Sequence, residues 1–472
     1  MSVRVHDTLS GGPVEVGRDG RIGLYVCGPT VYNDVHIGNA RAPLFWDVVA
    51  RYLKSRGYDV TFVQNITDIE DKIIAKANEE GVSWKEVVER YTGSFHERLA
   101  LMGVGLPDVE PRATEHIPEM ISLIESLIEI GHAYAPGGAN GDVYYSVESF
   151  PEYGALSRQR AEEMRDSEKA DTGYKKSPLD FTLWKASKPG EPSWESPWGL
   201  GRPGWHIECS AMVEKHLPDG ADIHGGGTDL RFPHHENELA QSAGAHPDHT
   251  FVRAWAHHGM VTLADDKMAK SVGNVLDVKQ VVGRHGRNAV RMWLLQSHYS
   301  QPIDYSEEIL EEKRRSYEHL MRFYRQISAS SSASELSAQL ATELRESFDA
   351  AMQDDFNTPE ALAAVFDAAR RAGQEISARP EAATEFASLK DALRELLDVF
   401  GFDLVEDWAV EIQGVKVRYD EDPGTEVLEK TAARELARRE KDWASADALR
   451  DELASEGWAV EDTPEGPLLN RR

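Results

Sequence analysis

Arg21-Ile22-Gly23-Leu24-Tyr25-Val26-Cys27 is a short, mostly apolar run that stops at a Gly28-Pro29 turn. A run of this length, bounded by a turn, reads as a buried strand. A helical stretch from about Ala40 to Arg56 follows, with Gly57 as its stop. Tyr58-Asp59-Val60-Thr61-Phe62-Val63-Gln64 is rich in β-branched and aromatic residues and reads as the next strand. Thr67-Asp68-Ile69-Glu70-Asp71 then opens a second helix, with Thr67 or Asp68 as its cap. Strand, helix, strand, helix predicts a parallel α/β sheet, and such sheets bind ligands at the carboxyl ends of their strands. Cys27 and Thr67 both stand at such ends.

Working outward, residues from about Pro107 to Pro203 break the alternation. A helix is expected from Ile117 to Gly131, then a loop-rich section carrying Pro178, Pro189, Pro192 and Pro197. The stretch reads as an insertion that splits the α/β domain. Asp222-Ile223-His224 resumes the sheet and runs into Gly225-Gly226-Gly227, a turn leads to a helix holding His234 and Glu238, and Phe251 to Ala256 is another strand. From about Glu307 the chain reads as helical, with a serine-rich joint at Ser328–Ser334. Helices around Ala341–Ala351, Pro359–Ala378 and Ala387–Phe400 predict a bundle, and a last helix is expected over Thr431–Glu456, before Gly457. The expected domains are a first α/β half over 1–106, the insertion over 107–203, the second half over 204–258, a connecting region over 259–327, the bundle over 328–400 and a small carboxyl-terminal domain over 401–472.

The 472 residues suit about three domains, and 41% hydrophobic content is enough for cores. No apolar run reaches membrane-spanning length, and no charged start leads into an apolar secretion signal. Two cysteines exclude a disulfide scaffold and fit a reducing compartment, so a cytoplasmic protein is expected. The 52 basic and 81 acidic residues leave a net charge of −29, which by itself argues against a nucleic-acid partner. Local patches escape that argument, and solubility or a salty cytoplasm also accounts for acid excess.

Both cysteines lie in segments suited to a metal. Cys27 ends the first strand, Cys209 lies in Gly204-Trp205-His206-Ile207-Glu208-Cys209, and Phe232-Pro233-His234-His235-Glu236-Asn237-Glu238 follows. On a helix His234 and Glu238 share a face. Two thiolates, an imidazole and a carboxylate make a tetrahedral zinc set. Taken singly, each has an ordinary reading: a lone cysteine is usually a small buried residue, and the ligands come from three distant segments.

Two short motifs suit phosphate. His36-Ile37-Gly38-Asn39 stands where the first long helix begins, and helix N-termini favour anions. His36 can donate to phosphate oxygens, and Gly38 would let a nucleotide approach the backbone. Lys267-Met268-Ala269-Lys270-Ser271 carries two lysines that could clamp a triphosphate and neutralise departing pyrophosphate, although an ordinary solvated basic loop reads the same way. No phosphate-binding P-loop, dinucleotide fingerprint or Ser-His-Asp constellation is readable.

Together these residues resemble one family. His36-Ile37-Gly38-Asn39 and Lys267–Ser271 look like the paired signatures of class I aminoacyl-tRNA synthetases. Cys27–Tyr32, Asn65–Lys72, Phe181–Lys185, Gly204–Ser210 and His224–Glu238 resemble cysteinyl-tRNA synthetases, and the resemblance runs through Asp354-Asp355-Phe356-Asn357-Thr358-Pro359. It implies a class I Rossmann-like sheet split by a connective insertion, a stem-contact region at 259–327, a helical bundle and an anticodon-binding domain at 401–472. It implies one zinc ion per chain on Cys27, Cys209, His234 and Glu238, with the substrate thiolate as an added ligand, and magnesium accompanying ATP. Gly28, Thr67 and Trp205 would shape the cysteine pocket. His36, Asn39, Lys267 and Lys270 would be the catalytic residues, with Asp229 on the ribose and Ser271 also at ATP. Arg438, Trp443, Asp447 and Asp462 match anticodon-contacting positions.

The partners implied are ATP, L-cysteine and tRNA(Cys), with no membrane, and the enzyme would be a monomer. Two positions depart from the family's pattern: Asn39 stands in place of histidine and Ala269 in place of serine, which implies slower or retuned catalysis at most. Two other readings are a cysteine ligase with a sugar-amine acceptor, which would lack the anticodon segment, and a non-catalytic binding relative, which would not need the lysines.

Overall fold

In the computed structural model, residues 2–17, 19–137, 141–159, 174–263, 266–267, 276–404, 408–419, 423–463 and 466–471 are described. The chain forms two compact units. One comprises 1–278, 294–305 and 349–361, and the other 279–293, 306–348 and 362–472.

The first unit is built on a four-stranded sheet in the spatial order Val252–His258, Ala221–Gly227, Arg21–Val26, Asp59–Gln64. Every pairing is parallel. Their inward positions are buried on both sides, which explains the near-continuous apolar runs. The chain leaves the Arg21–Val26 strand toward one side of the sheet and later adds Ala221–Gly227 on the other. That reversal opens a crevice at the carboxyl ends, where ligands of such sheets bind.

The first helix, Ile37–Ser55, starts three residues earlier than expected, with His36 at its cap position. Gly57 follows at φ 83°, a left-handed conformation that suits glycine. The second helix is Asp71–Glu80, and its cap is neither Thr67 nor Asp68 but Glu70, whose carboxylate accepts from the Lys72 N–H at 2.6 Å. Thr67 is held extended in a bridge with Thr30, and Asp68 instead accepts from the Thr114 N–H (2.9 Å) and hydroxyl (2.6 Å). Tertiary pairing therefore overrides the local capping preference.

The stretch expected to be loop-rich folds as an antiparallel sheet of short strands: Ala133–Tyr134, Val143–Tyr145, Phe181–Ala186 and Gly201–Pro203. The four prolines singled out fall between strands, so they punctuate the sheet without interrupting its hydrogen bonds. With the Ile117–Glu129 helix it shares one apolar core with the parallel sheet, in which Met120, Leu127, Phe181 and Trp184 meet Tyr25, Ile207 and Trp255.

In the second unit lie the helix Glu307–Gln326, most of Glu335–Gln353 and Thr358–Ala378, and Ala387–Val399. The serine-rich joint is tied down, with the Ser330 hydroxyl donating to the Ala383 carbonyl at 2.5 Å. The carboxyl-terminal end is not one helix and a tail. It has two helices, Thr425–Arg439 and Trp443–Ser455, beside a sheet ordered Trp408–Ile412, Val415–Tyr419, Gly466–Arg471, Trp458–Thr463. The break falls at Lys441, φ 63°, and Asp442 restarts the helix by accepting from the Ser445 N–H at 3.2 Å. Val417, Leu428, Leu453, Trp458 and Leu469 form this end's own core.

Candidate metal centre and nucleotide site

Four elements converge at the crevice. Cys27 follows the Arg21–Val26 strand, and its N–H donates to the Gly225 carbonyl at 3.1 Å. Cys209 lies on the Trp205–His216 helix, His234 in the tight turn Arg231–His235, and Glu238 in the first turn of the Glu236–Ala245 helix. Gly28 is demanded by close packing: a Cβ there would lie 1.5 Å from the Asn65 carbonyl oxygen. Its N–H donates to Asn65 Oδ1 at 2.9 Å.

The Cys27 and Cys209 sulfurs are 3.9 Å apart, Cys27 Sγ is 3.7 Å from Glu238 Oε1, and His234 Nε2 is 3.0 Å from the same oxygen. All four donor atoms lie within 4.8 Å of one another, and all but Cys27 are on fully buried residues. Metal–sulfur bonds of about 2.3 Å in a tetrahedron imply a sulfur–sulfur edge of about 3.8 Å. The donor set and its spacing therefore fit zinc. A second set, Cys27, His224, His235 and Glu238, overlaps the first through Cys27 and Glu238.

The electrostatics are those of a coupled cluster. Burial first, then the Cys209 sulfur, pushes the Cys27 thiol up, whereas the hydrogen bond from Cys27 brings Cys209 down to about 6. Burial would raise Glu238, but the charges of His224 and His234 and their hydrogen bonds outweigh it and hold the carboxyl at about 2. Burial would likewise lower His234, and Glu238 and Cys209 instead lift it to about 10.

Sequence reasoning missed the surrounding shell. His224 Nε2 lies 2.9 Å from Glu238 Oε2, and His206 Nδ1 lies 2.9 Å from His234 Nδ1. His235 reaches Cys27 Sγ at 3.4 Å through Nε2 and His257 at 2.9 Å through Nδ1, and His257 reaches the Thr8 hydroxyl at 2.8 Å. His206 and His235 were visible beside named ligands. His257 and Thr8 became partners only through the register of the Val252–His258 strand, which has no local signature.

Trp205, 37% exposed, stacks on His234 with ring centres 4.2 Å apart. Thr67 is buried and accepts from Asn65 Nδ2 at 3.3 Å. Beside them is a cavity of about 490 Å³ lined by Asp71, Lys185, Arg202, Trp205, His206 and Glu208, among others. On the nucleotide side, the Asn39 N–H closes the first helical turn onto the His36 carbonyl at 2.9 Å. A Cβ at Gly38 would lie 3.0 Å from the His36 ring, so this glycine makes room for His36. Asn39 and Asp229 are exposed, Asp229 two residues beyond the Ala221–Gly227 strand. The backbone of Lys267 pairs with Thr262 in a short antiparallel ladder. Ala269, Lys270 and Ser271 lie outside the described residues.

At the carboxyl-terminal end Trp443 is 59% exposed, and Asp447, one turn on, shares its helix face. Asp447 pairs with Arg450 at 3.2 Å. Asp462 accepts two bonds from Arg434, at 2.8 and 3.1 Å, and pairs with Arg438. The Arg434 bond, helped by the Arg434 and Arg438 charges, outweighs burial, which would raise the Asp462 carboxyl, and keeps it below its ordinary range. Among the described residues no helix is long and apolar enough to cross a membrane.

Comparison with known proteins agrees along the chain. A family model described as tRNA synthetases class I (C) catalytic domain matches residues 13–315. A DALR domain matches 347–405, and a cysteinyl-tRNA ligase anticodon binding domain matches 432–466. The cysteine–tRNA ligase of Rubrobacter xylanophilus is 71% identical over 473 residues, covering 100% of both chains. That of Halorhodospira halophila is 47% identical over 99% of each. Among solved structures, Mycobacterium tuberculosis methionyl-tRNA synthetase in complex with methionyl-adenylate shares the fold, with a TM-score of 0.58 at 17% identity over 80% of this chain and 89% of that one. With its catalytic and anticodon-binding segments both matched, and a relative alike over its whole length, the chain belongs to the cysteinyl-tRNA synthetases.

Proposed function

We propose that this cysteine–tRNA ligase selects its amino acid through a zinc ion held by Cys27, Cys209, His234 and Glu238. The observation that carries the reading is the clustering of those four donors, all but Cys27 buried, at the point where the sheet reverses. A zinc ion held by these residues would supply a soft Lewis acid, which prefers a thiolate to a hydroxyl. Shape alone separates such near-isosteres poorly, since a missing methylene is worth only about 10–200-fold.

The chain's own residues then position the substrates. Gly28, Thr67 and Trp205 line the cysteine pocket, and Trp205 also fixes the His234 ring. His36 and Asn39 meet the ATP phosphates at the helix N-terminus, Asp229 the ribose, Ser271 the nucleotide, and Lys267 and Lys270 the pyrophosphate as charge builds on it. Magnesium accompanies ATP. The cysteine carboxylate attacks the α-phosphorus in line, pyrophosphate leaves, and a hydroxyl of the terminal adenosine of tRNA(Cys) takes the acyl group. No protein nucleophile is needed, so positioning and charge stabilisation carry the rate.

Arg438, Trp443, Asp447 and Asp462 read the anticodon in this scheme. An unpaired base stacks on Trp443, which its exposure supports. The working division of the chain is a catalytic domain at 1–106 and 204–258, a connective insertion at 107–203, a stem-contact region at 259–327, a bundle at 328–400 and an anticodon domain at 401–472, acting as a cytoplasmic monomer. The test is charging of tRNA(Cys) with labelled cysteine, run beside zinc analysis. One zinc per chain, with charging that rejects serine, is expected. Full cysteine selectivity in a zinc-free preparation would overturn the zinc reading.

A further inference from the structure

We propose that Arg41 is a positioning residue that holds the strand bearing Lys267 in register with the helical turn formed by His36–Asn39. The proposal rests on the reading of Lys267 as a phosphate-handling residue.

Arg41 stands one turn into the Ile37–Ser55 helix and is 1% exposed. Its Nη1 donates to the carbonyls of Gly259 and Gln301, both at 2.7 Å, and its Nη2 to the carbonyl of His298 at 3.2 Å. Among the described residues these partners are all neutral carbonyls. A buried guanidinium without a carboxylate is an expensive way to fill space, because desolvating the charge is only partly offset by neutral acceptors. Burial pulls it down to about 10, still charged at neutral pH. Its use here therefore calls for something that packing alone would not supply.

The carbonyls it gathers are the roots of one small sheet. Gly259 and Gln301 are in direct backbone contact: a Cβ on Gly259 would lie 2.3 Å from the Gln301 carbonyl carbon. That contact lets two carbonyls 42 residues apart converge on one nitrogen. Just beyond them, Val261–Leu263 pairs in parallel with Ile303–Tyr305 and antiparallel with Asp266–Lys267, where Thr262 faces Lys267. One rigid fork on the first phosphate motif's helix thus fixes both backbones from which the second motif's strand is hung. A planar guanidinium can bind three carbonyls at once, which an ammonium cannot do in that geometry.

The test is cysteine-dependent ATP–pyrophosphate exchange by the full chain. It compares Arg41→Met, Arg41→Lys, Lys267→Ala and the Arg41→Met/Lys267→Ala double variant, with Tm recorded for each. A misplacement of about 1 Å costs on the order of 100-fold, so Arg41→Met should lower kcat by about 30-fold well below its Tm, with cysteine KM within about twofold. Arg41→Lys should recover part of that loss. The double variant should fall within about threefold of Lys267→Ala, because both changes act through one group. Wild-type exchange by Lys267→Ala would sink the Lys267 reading and this inference with it. If Lys267→Ala is crippled but Arg41→Met only lowers Tm, or if the two losses multiply, the Arg41 inference alone is overturned. Should Arg41→Met not fold, the same comparisons are made with Arg41→Lys.

Discussion

Replacing Cys209 by serine separates metal chemistry from packing. The side chain is 1% exposed, and oxygen for sulfur leaves almost no cavity. Its Sγ lies 3.9 Å from Cys27 Sγ, close to the edge of about 3.8 Å expected for two sulfurs on one tetrahedral metal. The thiol is also the readier of the pair to ionise, at about 6, as a ligand must. Changing a mere outer partner of a ligand costs about 10–100-fold in metal affinity, so losing a direct thiolate should cost at least about 100-fold. That is about 2.7 kcal/mol or more. After dialysis against a weak chelator, elemental analysis should find about one zinc in the parent and under about a tenth in Cys209→Ser. Preference for cysteine over serine in pyrophosphate exchange should fall to the range of a shape-only pocket, at most about 200-fold. Both metal-free proteins should melt within about 4 °C of each other, because little packing is lost. A variant that keeps its zinc and its selectivity would refute the assignment. So would zinc kept in Cys209→Ser but lost in His235→Asn, because that would move the metal to the overlapping set of donors, which lacks Cys209.

Three further changes probe the supports of the site. Gly28→Ala forces a methyl to within 1.5 Å of the Asn65 carbonyl oxygen, so exchange should fall by about 100-fold or more and Tm should drop; activity within about threefold of the parent would mean the loop gives way harmlessly. His257→Leu cuts the chain from Thr8 through His235 to Cys27 and should weaken zinc binding by about 10–100-fold in a competitive chelator titration, whereas unchanged affinity would show that His235 is oriented by packing alone. Trp443→Ala removes an exposed indole, so Tm should hold and exchange should be normal. Loss of one stacked base is worth about 1–3 kcal/mol, which should raise the KM for tRNA(Cys) by about 5–150-fold; an unchanged KM would count against stacking there.

The central sheet and the cluster of candidate metal donors were legible because their segments carry local signals. Arg21–Val26 and Asp59–Gln64 are short apolar runs between turns, and two cysteines in 472 residues leave few other thiols to consider. The rest depended on partners far away in the chain. Asp68 looks like a helix cap until Thr114, 46 residues on, claims its carboxylate. The insertion looked like loop because its strands are only two to six residues long, too short for an alternating pattern to stand out. The last helix looked continuous because Lys441 and Asp442 are tolerable inside a helix, and only the left-handed turn at Lys441 divides it. The roles of His224 and His257 in the histidine shell were unreadable for a similar reason. Histidine carries no periodic signal, and His224 and His257 meet the site through strand register.

The net charge of −29 is the feature that most misleads about an RNA ligand, and the carboxyl-terminal domain shows why it need not. Several of its cations are engaged rather than missing. Arg434 and Arg438 share Asp462, Arg439 pairs with Glu435, and Lys430 lies between Glu426 and Glu456. A counted balance scores a one-to-one pair as zero, yet Arg438 and Arg439 stand in the last turn of the helix that precedes the Trp443–Ser455 helix. Arg434 is buried, but an exposed pair such as Arg439 with Glu435 contributes little to stability, so exchanging its carboxylate for a phosphate costs the fold little. The cost falls on encounter instead. A surface without a broad positive field does not steer a polyanion from a distance, so under the proposed anticodon contacts recognition would rest on stacking on an aromatic face and hydrogen bonds of fixed geometry. Such a surface discriminates among RNAs by fit once they touch, and holds few of them by charge alone.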